Sequence, residues 1–372
     1  MDELLSQINI RVRRYKPVMT KGGIYTEWRE NKILQVTYRS KGCQNSAHGS
    51  CLMCDYGVGK NLTLEEAETV LPEVLRKGCE EINELILTTY GSFLDEYEVP
   101  KENRRVILRQ VAETKIPYIT FETHYKTISR EIIDEINSYI GDKIIAYEMG
   151  LESVDSYVLS KCLNKDIDLE ELKKCIELIH SYHHAVIFNV LYGSPFLNEK
   201  QQIEDVLESI HWAYEQDAEV IVLFPVNIKP FTVLEHMYMA GFYKPVSQWG
   251  LIKILASLPE EVLDRINIAW YGNREIKYPK YKFKTIFPVS CEKCRDHIFD
   301  FYFAFTADRD KENRKKLLKE IVGMKMKCRC REQAWETIES AGASNGLREE
   351  ACKYLQRTVL KGGIHAIPWE EH

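Results

Sequence analysis

Three cysteines, Cys43, Cys51 and Cys54, fall in one glycine-containing loop at spacing C-x7-C-x2-C, between Ser40 and Gly57. The loop follows a run, Lys32 to Tyr38, that alternates like a strand. Thiols clustered this closely are metal ligands, and their number carries information. A structural zinc takes four protein ligands, and a four-iron cluster held by four cysteines has no open iron. Three thiolates therefore leave one coordination position for another molecule, as a centre that does chemistry requires. His48, inside the loop, either donates a hydrogen bond to a cluster sulfur or steadies the loop.

A second set of thiols stands apart. Cys291 and Cys294 form a C-x2-C pair, Cys328 and Cys330 a C-x-C pair, with 33 residues between them. Four thiols in two pairs predict one closed structural site. Spacing alone does not separate zinc from an auxiliary iron-sulfur cluster, and His297 could replace one thiol. Cys79, Cys162, Cys175 and Cys352 read as small buried apolar residues. The N-terminus has no basic segment ahead of an apolar one, and no apolar run approaches the roughly 18 residues needed to cross a bilayer. The expected location is the cytoplasm, where disulfides are disfavoured.

The elements that must position these residues repeat along the chain. Predicted strands cover Ile33–Tyr38, Glu84–Thr89, Pro117–Glu122, Lys143–Met149, Ala185–Leu191 and Glu219–Phe224. Predicted helices cover Leu64–Cys79, Val106–Thr114, Ser129–Tyr139, Asp168–Tyr182 and Gln201–Tyr214. Thr63 with Glu66 three residues later is a capping box, and Ser129 is an N-cap. Strand-helix alternation predicts a parallel sheet curling into a full or partial (β/α) barrel, with a doubly wound open sheet as the alternative. At 372 residues, 45% apolar and 28% charged, the chain has room for one large α/β core with a smaller appendage. The expected division is an N-terminal extension at 1–32, the barrel at 33–260, and a cysteine-rich, helical C-terminal region at 261–372. The basic segment Arg11 to Pro17 reads as a solvated lead-in, and Gly362-Gly363 with the Pro-Trp-Glu-Glu-His end as a tail.

Chemistry in such barrels sits on the loops that follow the strands, and the polar residues collect there. Thr88 to Asp95 follows the second strand, with Thr89, Gly91 and Ser92. Glu122 and His124 follow the third; Glu148, Gly150, Glu152 and Ser153 the fourth; Asn189 lies on the fifth; Asn227 follows the sixth. Glycine at 91 lets a ligand approach the backbone, although such a turn also serves as a plain strand exit. Glu152 could cap the following helix, and His124 is either a hydrogen-bonded structural residue or a proton-transfer group beside Glu122. His183 and His184 sit at the opposite end. The net charge of −6 excludes a polyanion-binding surface over the whole molecule. Between the thiol pairs, Arg309 to Arg331 carries ten basic residues, read as a solvated helix face or a phosphate-contacting patch.

A three-cysteine loop after the first strand of a barrel resembles the radical S-adenosylmethionine (SAM) superfamily. Its commonest spacing is C-x3-C-x2-C; wider first gaps occur in RNA-modifying branches such as the Elongator catalytic subunit and the archaeosine synthase radical-SAM subunit. The latter is the closer resemblance. It is carried by Gly91-Ser92-Phe93-Leu94-Asp95 with Glu98-Val99-Pro100, Gly150-Leu151-Glu152-Ser153 with Lys161-Cys162-Leu163-Asn164-Lys165, Pro195-Phe196-Leu197 with Glu204-Asp205, and Pro225-Val226-Asn227. It spans about residues 33 to 335. A tryptophan expected soon after the first loop cysteine is absent, and Asp55-Tyr56-Gly57 replaces a usual glycine-tyrosine pair.

The resemblance implies a partial (β/α)6 barrel with a small C-terminal metal-binding extension. It implies a [4Fe-4S] cluster on Cys43, Cys51 and Cys54 whose open iron binds SAM. Thr89, Gly91, Ser92, Glu122, Glu148, Gly150, Glu152, Ser153 and Asn189 become candidate cofactor-binding residues; Glu122, His124, Asn189 and Asn227 become candidate catalytic ones. The implied activity is lyase- or transferase-type radical chemistry: C–N cleavage of a lysine adduct on a tRNA 7-deazaguanine. The implied partners are a tRNA-binding, lysine-transferring subunit and a ferredoxin- or flavodoxin-type electron donor. Two competing readings are a radical SAM enzyme acting on a small metabolite or peptide, and a non-enzymatic protein with two zinc sites.

Overall fold

The computed structural model describes residues 1–14, 16, 25–29, 32–56, 59–77, 82–269, 283–342 and 346–361, with backbone only at 25–29 and 77. Cys79, Gly57, part of the Arg11 to Pro17 segment and the C-terminal tail lie outside the described residues.

In chain order the elements are α1 (Glu3–Arg13), β1 (Tyr25–Arg29), β2 (Ile33–Thr37), α2 (Gln44–Ala47), α3 (Leu64–Lys77), β3 (Glu84–Thr88), α4 (Lys101–Ala112), β4 (Tyr118–Thr123), α5 (Arg130–Ile140) and β5 (Ile144–Glu152). There follow α6 (Leu169–Ser181), β6 (Ala185–Tyr192), α7 (Glu199–Glu215), β7 (Val220–Pro225), α8 (Val233–Met239), α9 (Gln248–Ser257) and β8 (Ile266–Ile268). The chain ends with α10 (Glu292–Ala307), α11 (Lys311–Gly323), α12 (Cys330–Ser340) and α13 (Leu347–Leu355).

The sheet runs β1-β2-β3-β4-β5-β6-β7-β8. From β2 onward every neighbouring pair is parallel, while β1 pairs antiparallel with β2. Strand order equals chain order, with no point where it reverses, so this is a curled half-barrel and not the doubly wound open sheet, whose order reverses at a switch point. The six predicted strands are present, and the short β8 adds a seventh parallel strand. Because β8 pairs with β7 through Ile221–Ile266 and Leu223–Ile268, the parallel sheet continues beyond residue 260.

Capping fixes where the helices start. Thr63 and Glu66 make the reciprocal box at α3, Ser129 accepts from Ile132 N at α5, and Asn198 with Gln201 does the same at α7. Helix-facing strand residues such as Leu85, Ile119, Tyr147, Phe188 and Ile221 are fully buried. They form one core that also takes in Ile298, Phe305 and Leu318 of the C-terminal helices. A core shared in this way fixes α10 against the barrel.

Arg314 of α11 closes that junction. Its side chain is fully buried, donates to the carbonyls of Leu263, Ile266 and Asp308, and lies 4.4 Å from the Phe305 ring centroid. A cation read from sequence as part of a basic face is thus a structural pin for β8. Three charged hydrogen bonds to buried carbonyls would each be left unmade in Arg314→Met. The substitution should cost about 2–4 kcal/mol of unfolding free energy, read from urea denaturation of the full chain.

Candidate functional site

The cysteine loop leaves β2 with almost no hydrogen-bonded structure beyond the single turn α2, so neighbouring elements must shape it. Helix α1 does so from one side. Its apolar stripe, Leu5, Ile8 and Val12, is buried, leaving Asn9 and Arg13 against the loop. Asn9 Nδ2 donates to Gly49 O at 3.0 Å and Ser50 O at 2.9 Å. The Arg13 guanidinium donates to Cys54 O at 2.6 Å, Tyr56 O at 2.7 Å and Cys51 O at 3.2 Å, and also to Ser46 Oγ. At Gly49, with φ of +80°, a Cβ would lie 2.4 Å from Ser6 O; only glycine lets loop and helix meet.

The opposite side is built by the turn Val158–Leu163 after β5. Leu52 N donates to Leu163 O and Cys51 N to Asn164 O. Asn164, buried and left-handed at φ 55°, donates to Gly49 O at 2.8 Å and accepts from Asp2 N at 2.7 Å. The Lys161 to Lys165 segment therefore buttresses the thiols.

Two cations flank the loop, Lys165 buried and Lys229 half-buried. Lys165 Nζ lies 2.8 Å from both Glu152 Oε1 and Gly150 O. Lys229 Nζ is 2.9 Å from Asp55 and 4.8 Å from the Tyr56 ring centroid. Burial pulls the Lys229 pKa down, but Asp55, Tyr56 and Cys54 outweigh it and hold the ammonium charged. Lys165 is raised in the same way, burial being outweighed by Glu152 and Cys51. Burial pushes the Cys51 thiol up to about 12, against the pull of Lys165, and raises Cys43 as well. Without a metal to take their place, the protons stay on sulfur.

Side-chain alternation makes the barrel's interior polar. On β5, Tyr147, Met149 and Leu151 point to the helices, while Glu148, Gly150 and Glu152 face inward. Gly150 is level with Asn189 on β6, which is level with Val222 on β7. These residues line a cavity of about 870 Å³ together with Cys43, Cys51, Cys54, Gly91, Ser92, Glu122 and His124. Its far wall is β8 and the end of α10, through Asn267, Phe303, Thr306 and Arg309.

Gly91 packs on Cys43: a Cβ there would fall 2.6 Å from the Cys43 Cβ and 2.3 Å from Glu98 Oε1. Glu98 is itself buried, accepting from Ser40 Oγ, Thr89 Oγ1 and Ser92 N at 2.7–2.8 Å. It ties the exit of β3 to the base of the cysteine loop.

The buried atoms lacking a hydrogen-bond partner among the described residues include His124 Nε2, Asn189 Oδ1 and Asn227 Oδ1, all on residues lining this cavity. Burial lowers the His124 imidazole to about 3, with Lys165 and Lys126 pushing the same way, so it is neutral. Its Nδ1 accepts from Lys126 N at 3.2 Å, which leaves the proton on Nε2. Among the described residues the cavity thus offers a donor at His124 and acceptors at Asn189 and Asn227, with the Thr306 hydroxyl also unpartnered on the far wall.

Of the residues singled out in the sequence, Thr89 and Ser153 stand behind the cavity wall. Ser153 Oγ donates to Asp205 on α7 at 2.5 Å, and Thr89 serves Glu98. Ser92 lines the cavity while bonding Thr123 and Thr127. His48 is exposed at the end of α2, and His184 meets Tyr147 at 3.3 Å. Cys291, Cys294 and Cys328 come together elsewhere, at the start of α10, with His297 exposed beside them. Sequence reading assigned no role to Arg13, Lys165, Lys229 or Glu98. The apolar spacing of Leu5, Ile8 and Val12 was the available sign that Arg13 sits on a packed helix.

The Radical SAM superfamily matches residues 38–230, just over half of the chain, from the end of β2 to the loop after β7. The chain belongs to that superfamily. An uncharacterized protein of Methanocaldococcus jannaschii is 28% identical over 247 residues, 64% of this chain and 67% of its own. The archaeosine synthase subunit beta of Methanosarcina acetivorans is 28% identical over 232 residues, 61% of this chain and 66% of its own. Among solved structures, the archaeal Methanocaldococcus infernus Elp3 with an N-terminal deletion aligns over 81% of this chain and 66% of its own, at 12% identity and a TM-score of 0.48. The chain thus matches about two thirds of the length of these relatives. No helix among the described residues is long and apolar enough to cross a membrane.

The superfamily implies a [4Fe-4S] cluster and SAM, and the residues fit both. Cys43, Cys51 and Cys54 line the cavity but do not form a group whose sulfurs all lie within 4.8 Å, as suits ligands on separate irons and not one shared ion. The unpartnered donor and acceptors lie in the same space. Arg13→Ala removes the bonds to Ser46 Oγ and to the carbonyls of Ser50, Cys51, Cys54 and Tyr56 while leaving the thiols intact. It should lower iron bound after anaerobic reconstitution at least twofold, with unchanged far-ultraviolet circular dichroism; Asn9→Ala should have a smaller effect.

Proposed function

We propose that this radical SAM enzyme acts in archaeosine-type tRNA modification, breaking a C–N bond of a lysine adduct on a tRNA 7-deazaguanine and leaving an amidine. The observation that carries the reading is the 232-residue similarity to a protein named archaeosine synthase subunit beta. When bound, the cluster and SAM supply a 5′-deoxyadenosyl radical that takes hydrogen from the substrate.

The chain's own residues bind and orient. Gly91 lets the turn after β3 pack directly on Cys43, and its backbone on the cavity wall would be open to SAM. Lys165, held by Glu152, presents a positive charge next to Cys51 and suits the SAM carboxylate. His124 donates through Nε2, and Asn189 and Asn227 accept from hydroxyl or amino groups of cofactor or substrate. Glu122 and Glu148 place carboxylates where the ammonium of a lysine adduct would be attracted.

The basic stretch Arg309 to Arg331 has much of its charge engaged internally: Arg314 on carbonyls, Lys315 on Glu260, Arg331 on Val322 O, Met324 O and Glu332. With a net charge of −6, this favours tRNA delivery by a separate, lysine-transferring subunit. A ferredoxin or flavodoxin would supply the electron.

Since His124 is neutral far below pH 7, SAM affinity should show no transition near pH 6.5 between pH 5.5 and 8.5. His124→Gln keeps a donor and should stay near wild type, while His124→Phe should weaken binding about tenfold, the worth of one hydrogen bond; calorimetry on the cluster-loaded chain reads both. The substrate is tested by anaerobic incubation with dithionite, SAM and tRNA carrying the lysine adduct. Archaeosine formed together with 5′-deoxyadenosine is expected. 5′-Deoxyadenosine that is indifferent to the tRNA, but rises with a small metabolite or peptide, would redirect the substrate assignment.

A further inference from the structure

Three of the C-terminal thiols, Cys291, Cys294 and Cys328, meet in space, and their spacing differs in kind from that of the N-terminal three. Cys291 Sγ is 3.4 Å from Cys294 Sγ and 3.3 Å from Cys328 Sγ. Among the described residues this is the one group of three or more candidate ligand atoms all lying within 4.8 Å of one another. Cys330, at the first position of α12 and two residues from Cys328, neighbours Cys294 and Cys291 and is the candidate fourth ligand, although its sulfur stands outside the tight group of three. Ligands around a single tetrahedral zinc, with Zn–S near 2.3 Å, stand about 3.8 Å apart. Ligands of a four-iron cluster sit on separate irons and must stand wider.

We infer that Cys291, Cys294, Cys328 and Cys330 hold one mononuclear, thiolate-loving divalent ion, zinc by its chemistry, which clamps the helix that forms the far wall of the cavity. Two helix N-termini converge on it. Cys291 is the N-cap of α10 and Cys294 lies in its first turn; Cys330 opens α12. Each end carries partial positive charge that suits the anionic tetrathiolate. The indole Nε1–H of buried Trp249 donates to Cys294 Sγ at 3.4 Å, and Trp335 Nε1–H donates to Trp249 O at 3.0 Å. These partners fix the ligand sulfur from outside, as metal ligands are commonly fixed.

The clamp is mechanical. Cys294 and Thr306 are twelve residues apart on one helix, roughly 18 Å at 1.5 Å per residue, so a molecule in the cavity does not reach the ion. What the ion does is join the start of α10 to the start of α12. Phe303, Thr306 and Arg309, at the other end of α10 and just past it, line the cavity.

The test is made in a Cys43→Ala, Cys51→Ala, Cys54→Ala chain, so that its outcome is separate from the radical SAM reading. Elemental and sulfide analysis should find about one zinc per chain and no iron, as a four-thiolate site takes one ion. Adding Cys291→Ser and Cys328→Ser should remove the zinc. In the chain with its N-terminal thiols intact, Cys291→Ser and Cys328→Ser should leave cluster iron unchanged but raise hydrogen exchange along 292–307 several-fold. If the double variant proves insoluble, stepwise release of zinc by a mercurial from the unmutated chain, four thiols per zinc, gives the same answer. Iron and sulfide persisting in the triple variant would make the site an auxiliary cluster and overturn the inference. So would the absence of metal there, or zinc surviving loss of Cys291 and Cys328.

Discussion

Of three thiols that must become anionic to hold a metal, Cys43 and Cys51 sit where burial opposes that charge. Burial raises Cys43 and takes Cys51 up to about 12, and the surrounding structure answers with cations. Lys165 stands by Cys51, Lys229 by Cys54 through Asp55 and Tyr56, and Arg13 holds the peptide carbonyls between the ligands. The three arrive from separate parts of the chain: α1, the turn after β5, and the loop after β7. A cluster loop with so little backbone hydrogen bonding of its own can be precise only because these distant segments are fixed by the barrel core. The half-barrel is thus the means by which charges far apart in sequence are brought against three sulfurs.

The parallel strands were legible because strands buried on the helix side run as Val, Ile and Leu, separated by helices with clear caps at Thr63 and Ser129. Two strands escaped for physical reasons. β8 is three residues long, too short for alternation to declare itself, and β1 joins by antiparallel pairing that a βα rhythm does not anticipate. The C-terminal region was expected to be helical, but where its helices begin was obscured differently. Cys291 and Cys330 read as ligands, and nothing in a ligand pattern says that each also marks a helix start.

The site was legible where residue type dictates chemistry and illegible where function comes from packing. Cysteines, and the rim residues Glu122, His124, Glu148, Asn189 and Asn227, stand out by type and position. Lys165 and Lys229 do not, since a lysine in a loop is ordinary until its burial is known; Arg13 was hidden in a segment whose charge suggested solvent. Ser153 illustrates the converse. It lies in a segment resembling known cofactor-binding sequence, yet its hydroxyl is committed to Asp205, so its influence on the cavity passes through the position of β5 and α7.

The arrangement of free hydrogen-bonding groups limits what the cavity can accept. Glu122 and Glu148 contribute negative charge to its inner face, and Asn189 Oδ1 and Asn227 Oδ1 want donors. Lys165 and Lys229 sit toward the cysteine loop, while Arg309 lies on the far wall. A ligand with donor groups toward Asn189 and Asn227 and a carboxylate end near Lys165 would satisfy the unpartnered acceptors. A cofactor that chelates the cluster through amino and carboxylate groups, followed by a substrate bearing an ammonium, has that polarity. A wholly anionic substrate would leave the inner acceptors unsatisfied at a cost of about 1–3 kcal/mol each, and a wholly apolar one would do the same for His124 as well.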